Sequence, residues 1–228
     1  ADYLPSDIND MEKICTEDYS VNLVDMADNT EDNKTVNDNP NDAKAISLGT
    51  QVYDTVATEL EQRWYAFSVA KATKFTAAMV MDDTADFDLY VYKLNETDGT
   101  LELVGGSAIV GAGTQELSML KLDEGIYFIG IEAATGNGSF LMYTYAGVND
   151  GKEINDTTDL ASSYVRNSRM TATIDSPFDY DYYKVVISKN DILEYTFDQP
   201  TGCDYKVLVY DGKNYYTINN GTYRLNTG

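Results

Sequence analysis

The sequence predicts an all-β protein made of two tandem antiparallel β-sandwich domains, the second lacking its final strands. Three observations predict it. Apolar and polar residues alternate at period two in segment after segment, the pattern that buries one face of a strand and leaves the other wet. Turn residues interrupt this alternation at a spacing of roughly 8 to 14 residues, which suits an antiparallel sandwich. Finally, QRWYAFSV at 62–69 returns as YDYYKVVI at 180–187, each copy preceded by an acidic Asn-Asp turn. Each is followed by a strand ending in Val-Tyr, LYVY at 89–92 and VLVY at 207–210. Repeats of this length are domains rather than layers of a solenoid.

In chain order, residues 1–35 hold a short helical stretch near 7–14, one alternating strand at 19–24 and a polar linker rich in Asn and Asp. The first sandwich spans 36–147. Its expected strands are 46–48, 51–58, 63–69, 75–81, 88–92, 101–104, 116–121, 126–132 and 138–145. The Gly-rich stretch 105–113 lacks the Lys-Ser or Lys-Thr of a phosphate-cradling loop and reads as a flexible connection. The second copy spans 148–228, with strands expected at 164–167, 169–174, 181–187, 192–197, 205–210, 214–218 and 221–225. Superposing the copies places YRLNTG at 223–228 on LKLDEG at 120–125, so two strands of the first copy have no counterpart in the second. Strand addition by 19–24, within the chain or by exchange with another chain, would cover the edge so exposed.

Composition removes several functions. The formal charge is −22, from 38 acidic and 16 basic residues, which repels phosphate backbones and anionic lipid. Nucleic acid is therefore no partner. No apolar run is long enough to enter a membrane, and no basic-plus-apolar leader is present, so an exported chain would already have shed it. With no histidine, the His-dependent hydrolases and His-ligated zinc sites drop out. Cys15 and Cys203 are the only cysteines; two free thiols and one long-range disulfide both remain open.

The motifs that carry most information are NDNPNDAKAISLG at 37–49 and EINDTTDLA at 153–161, each upstream of a core strand. Together with WYAF, DYYKV, ADFDLYVY at 85–92 and LDEGIYFIGI at 122–131, they resemble the bacterial pre-peptidase C-terminal domain. Relatives of that family include the collagen-binding domains of clostridial collagenases. The resemblance covers about residues 36–228 as two copies. It implies a jelly-roll-like sandwich appended to exported proteases and other enzymes, binding without catalysis of its own, secreted or at the bacterial cell surface.

Some members of that family bind calcium between the Glu-x-Asn-Asp turn and acids at the start of the core strand. Carried onto the second copy, the positions are Glu153, Asn155 and Asp156 with Asp179 and Asp181. Hard oxygen ligands from two segments suit calcium, and four converging carboxylates would repel one another unless a cation sat among them. The competing reading is an Asx turn with the other acids solvated. In the first copy Asn39, Asn41 and Asp42 match the turn, but Glu61 and Arg63 replace the later acids; a salt bridge from Arg63 to Asp42 is expected there, and no metal.

Asp86 and Asp88 read as turn-capping residues rather than a catalytic carboxylate pair. Most tyrosines, including Tyr65, Tyr127, Tyr143 and Tyr183, fall at inward-alternating positions and read as core. Tyr215 and Tyr216 are the exception, because adjacent strand residues cannot both point inward. The expected function is a non-catalytic, adhesive accessory module that binds extracellular protein, matrix polymer or polysaccharide, with calcium in the second domain. A carbohydrate-binding module with exposed aromatics is the first alternative, and a carboxylate-dependent glycosidase-like enzyme the second.

Overall fold

The computed structural model describes residues 19–20, 36–59, 61–147, 151–188 and 191–224. The described residues of Ala1–Ser162 and Asn167–Tyr183 form one compact unit, and those of Ser163–Arg166 and Lys184–Gly228 a second. Residues 151–183, which the repeat assigns to the second copy, thus belong mostly to the first unit. Among the described residues, no helix is long and apolar enough to cross a membrane.

The first unit is a sandwich. A 3₁₀ turn, Pro40–Asp42, leads into β1 (Lys44–Ala45), β2 (Gln51–Val56), β3 (Gln62–Val69), β4 (Thr73–Met81) and β5 (Asp86–Leu94). There follow β6 (Leu101–Ser107), β7 (Glu116–Leu122), β8 (Gly125–Thr135) and β9 (Gly138–Gly147). One sheet has the order β1-β3-β8-β5-β6 and the other β2-β9-β4-β7. All pairings are antiparallel except β1 with β3.

Alternation explains where the core lies. Tyr65, Phe67 and Val69 of β3, Phe87 and Leu89 of β5, and Ile129 and Ile131 of β8 meet Phe75 and Met79 of β4 and Phe140 and Met142 of β9 between the sheets. Several residues out of phase with these are buried too. Trp64, Tyr90, Tyr92 and Phe128 form a second apolar cluster on the other face of the five-stranded sheet, where Tyr19 packs against them. That is why β3 and β5 read as almost continuous apolar runs rather than clean alternation. Gly106 permits the close approach of β6 to β5: a Cβ there would lie 2.4 Å from the Leu89 carbonyl oxygen.

The short strands β10 (Ser162–Ser163) and β11 (Tyr183–Lys184) straddle the border between the units. The second unit contains β12 (Ile192–Tyr195), β13 (Val207–Tyr210), β14 (Tyr215–Ile218) and β15 (Gly221–Arg224). They form two antiparallel pairs, β12 with β15 and β13 with β14.

Several expectations need correction. Arg63 pairs with Glu61 at 2.8 Å and Asp54 at 3.7 Å, not with Asp42. Asp42 instead accepts from Asn39 Nδ2, while Asn39 Oδ1 caps the 3₁₀ turn through the Asn41 and Asp42 N–H groups. Gly105 and Gly106 continue β6 rather than opening a flexible loop. Tyr143 is only half-buried, because β9 turns it away from the inter-sheet core. Residues 169–174 alternate in sequence yet form no strand, since no neighbouring strand offers them a ladder. Ser20 pairs with Thr100, and the Leu101 N–H donates to the Tyr19 carbonyl, so the described part of the 19–24 strand lies on the first unit's edge. Residues 21–24, the 7–14 helix and Cys15 lie outside the described residues; Cys203 is a free thiol.

Candidate functional site

Alternation along β4 sends Phe75, Ala77 and Met79 into the core and leaves Lys74, Thr76 and Ala78 on the opposite face. That face is covered: Lys74 and Thr76 are each 1% exposed. Over Lys74 the cover comes from the part of the first unit that holds Glu153, Asp156 and Asp179. Phe178 meets the ring of Tyr145 edge-on at 6.2 Å, and the acidic side chains of the same segment close around the end of Lys74.

Lys74 Nζ lies 2.7 Å from Asp179 Oδ1, 2.9 Å from Asp156 Oδ1 and 3.2 Å from Glu153 Oε2. Three carboxylates thus face an ammonium that has three N–H bonds to give. The acids are held by local turns. Asp179 ends a turn in which its N–H donates to the Ser176 carbonyl, and its Oδ2 accepts from the Asp175 N–H at 2.7 Å. Asn155 is fully buried; its carbonyl accepts from the Tyr182 N–H and its Nδ2 donates to the Tyr182 carbonyl, which ties the turn at 153–156 to the strand entering at 183. Oxygens of Glu153, Asp179 and Asp181 lie within 4.8 Å of one another.

All five residues singled out from the sequence, Glu153, Asn155, Asp156, Asp179 and Asp181, are therefore neighbours. What sequence reasoning missed is the cation, Lys74, and a fifth acid, Asp175. A signal for Lys74 existed in KFTAAM at 74–79: beside the lysine, the face opposite Phe75 and Met79 carries only Thr76 and Ala78, small residues suited to a covered face.

Charge in the cluster does not balance. Burial, reinforced by Asp179 and Asp181, pushes the Glu153 carboxyl up to about 7 despite Lys74. Burial likewise raises Asp175 to about 6 and lifts Asp156 and Asp181 above the ordinary carboxylate range. Burial works against the Lys74 ammonium too, but hydrogen bonds to Asp179 and Asp156 outweigh it and hold the pKa above that of free lysine. Oxygens remain unpartnered in the interior: Asn155 Oδ1, Asp156 Oδ2, Asp181 Oδ1 and both carboxylate oxygens of Asp175. The acidic donors here are all oxygens, the kind that hard cations take, and Lys74 already brings one positive charge among three of them.

Tyr215 and Tyr216 sit on β14, 42% and 50% exposed. Tyr215 stacks on Tyr210 at 4.6 Å, and the Tyr216 hydroxyl donates to Asp211. They lie in the second unit and play no part in the acidic cluster.

No protein-family model matches the chain, and no curated protein sequence does. Among solved structures, the pre-peptidase C-terminal domain of a collagenase from Bacillus anthracis is similar, with 16% identity and a TM-score of 0.39 over 45% of this chain and 93% of that one. A periplasmic inhibitor of g-type lysozyme from Aeromonas hydrophila is similar at 13% identity and a TM-score of 0.35, covering 46% of this chain and 95% of that one.

Proposed function

We propose that the chain is a non-catalytic binding and accessory module of an exported bacterial protein, in which calcium stiffens the segment 151–183. The observation that carries this reading is the Lys74 cluster. Its acids are engaged in holding a chain segment against β4, and Glu153, Asp156 and Asp179 are no more than 8% exposed. A glycosidase would need its carboxylate pair open to a sugar ring. The spare oxygens of Asp156, Asp181 and Asn155 are the ones calcium would use, alongside Glu153 and Asp179. In this proposal residues 148–228 remain a tandem copy of 36–147, and the ligand is an extracellular protein, matrix polymer or polysaccharide.

Calorimetric titration of the chelator-treated protein with calcium tests the metal. Heat should be evolved by the native chain and the corresponding equivalent lost in Asp181→Ala; identical isotherms would remove calcium from this cluster. Co-sedimentation with insoluble matrix protein or polysaccharide, without release of soluble product, tests the binding role. A second reading, carbohydrate binding through the second unit, is favoured by the exposed stack of Tyr210 and Tyr215 beside Tyr216. It predicts that Tyr216→Ala weakens retention on polysaccharide.

A further inference from the structure

We propose that Asp86, Asp88 and Glu116 form a separate site for one calcium ion within the first sandwich. This does not depend on calcium binding at the Lys74 cluster. The three come from the first residues of β5 and β7, beside the connection at 108–115. Their exposures are 6%, 8% and 0%, and one carboxylate oxygen of each lies within 4.8 Å of one from each of the others. Oxygens that share a calcium ion at about 2.4 Å can be no further apart than about 4.8 Å, a condition that all three pairs meet.

The site differs from the Lys74 cluster in having no counter-charge. Among the described residues, no Lys or Arg pairs with any of the three. The charged neighbours that weigh on Asp88 are Asp86 and Glu132, and those on Glu116 are Asp88 and Asp86. Only neutral donors reach them. The Ile109 N–H lies 3.1 and 3.2 Å from the two oxygens of Glu116, the Tyr90 hydroxyl donates to Asp88 Oδ2 at 3.1 Å, and the Gly111 N–H donates to Asp86 Oδ2 at 2.9 Å. Asp86 Oδ1 is left sealed from solvent with no hydrogen-bond partner. A buried carboxylate oxygen with nothing to accept from is costly, and an ion bridging it to Asp88 and Glu116 removes that cost.

Burial raises Asp88 to about 6 and Glu116 to about 7, so protons are the competing occupants. The sequence-based view of Asp86 and Asp88 as turn caps accounts for the Gly111 bond but not for their burial against Glu116, which lies far along the chain.

The test is calcium titration of the whole chelator-treated chain at pH 7.5 by calorimetry, with terbium luminescence excited through tyrosine as a second readout. Glu116→Gln should lose one equivalent of bound calcium, or weaken it at least tenfold, and lose the terbium emission sensitised by nearby Tyr90. Asp181→Ala should keep that equivalent. Isotherms that superimpose for the native chain and Glu116→Gln overturn the proposal, as does a native chain that binds no calcium or whose only equivalent disappears in Asp181→Ala. If circular dichroism shows Glu116→Gln unfolded, Asp86→Asn carries the same test, because it keeps an oxygen for the Gly111 N–H while removing the charge.

Discussion

Lys74 is where one side chain decides most. Its ammonium is the only cation within reach of three buried carboxylates among the described residues, so removing it leaves their charges unanswered. Lys74→Met should destabilise the protein at neutral pH by about 3–5 kcal/mol, measured by urea unfolding. The loss should shrink near pH 5, where Glu153 and Asp175 take up protons. Because the folded pKa of Lys74 is raised, its contribution is complete below the unfolded value and disappears only as pH climbs through the folded one. Legibility was uneven at this scale. The acids stood out because they cluster in sequence around EIND and FDYD. Lys74 did not, since a lysine within a strand reads as a solvated edge until the covering segment is known.

For the elements, alternation proved a good guide wherever one face of a strand packs into the inter-sheet core. Each expected strand of the first sandwich from 51–58 onward is found within a few residues of its position, since its apolar phase matches a real inter-sheet core. The expected strand at 46–48 was displaced to Lys44–Ala45, where β1 runs parallel to Tyr65 and Ala66 and follows a turn rather than a hairpin. Farther on, YDYYKVVI keeps strand geometry only at Tyr183–Lys184, and Val186 is 75% exposed. A local pattern cannot report whether a partner strand arrives. Two substitutions probe the packing of the first sandwich. Phe75→Ala empties a site between Phe67 and the opposite sheet, and should cost about 3–5 kcal/mol. Gly106→Ala forces β6 away from the Leu89 carbonyl and should cost about 1–3 kcal/mol, both read from denaturant midpoints.

At the scale of the whole molecule a charge of −22 combines with the two buried acid clusters found among the described residues, and the pH behaviour follows. Glu153, Asp175, Asp88 and Glu116 have folded pKa values of about 6 to 7, above their ordinary ones, so the folded state holds more protons than the unfolded chain between about pH 4 and 7. Stability of the chelated protein should therefore fall as pH rises through that window. Asp54, Glu61, Asp98, Asp191 and Asp211 are held below their ordinary values and act in the opposite sense, losing their contribution as pH drops below about 4. Thermal melts should peak near pH 4–5 without metal, and calcium should move the peak toward neutrality; a chelated protein most stable at pH 8 would contradict this.

Trp64 is the chain's single indole, wholly enclosed, with Tyr19 standing 4.7 Å away and Gln62 accepting from its Nε1. Fluorescence excited at the red edge of tyrosine absorption thus watches one of the two units and is blind to the other. Its emission should be short in wavelength, and a denaturation curve followed by that light, set beside one followed by backbone dichroism, reports whether the unit that holds Trp64 melts with the rest of the chain, without cutting the polypeptide.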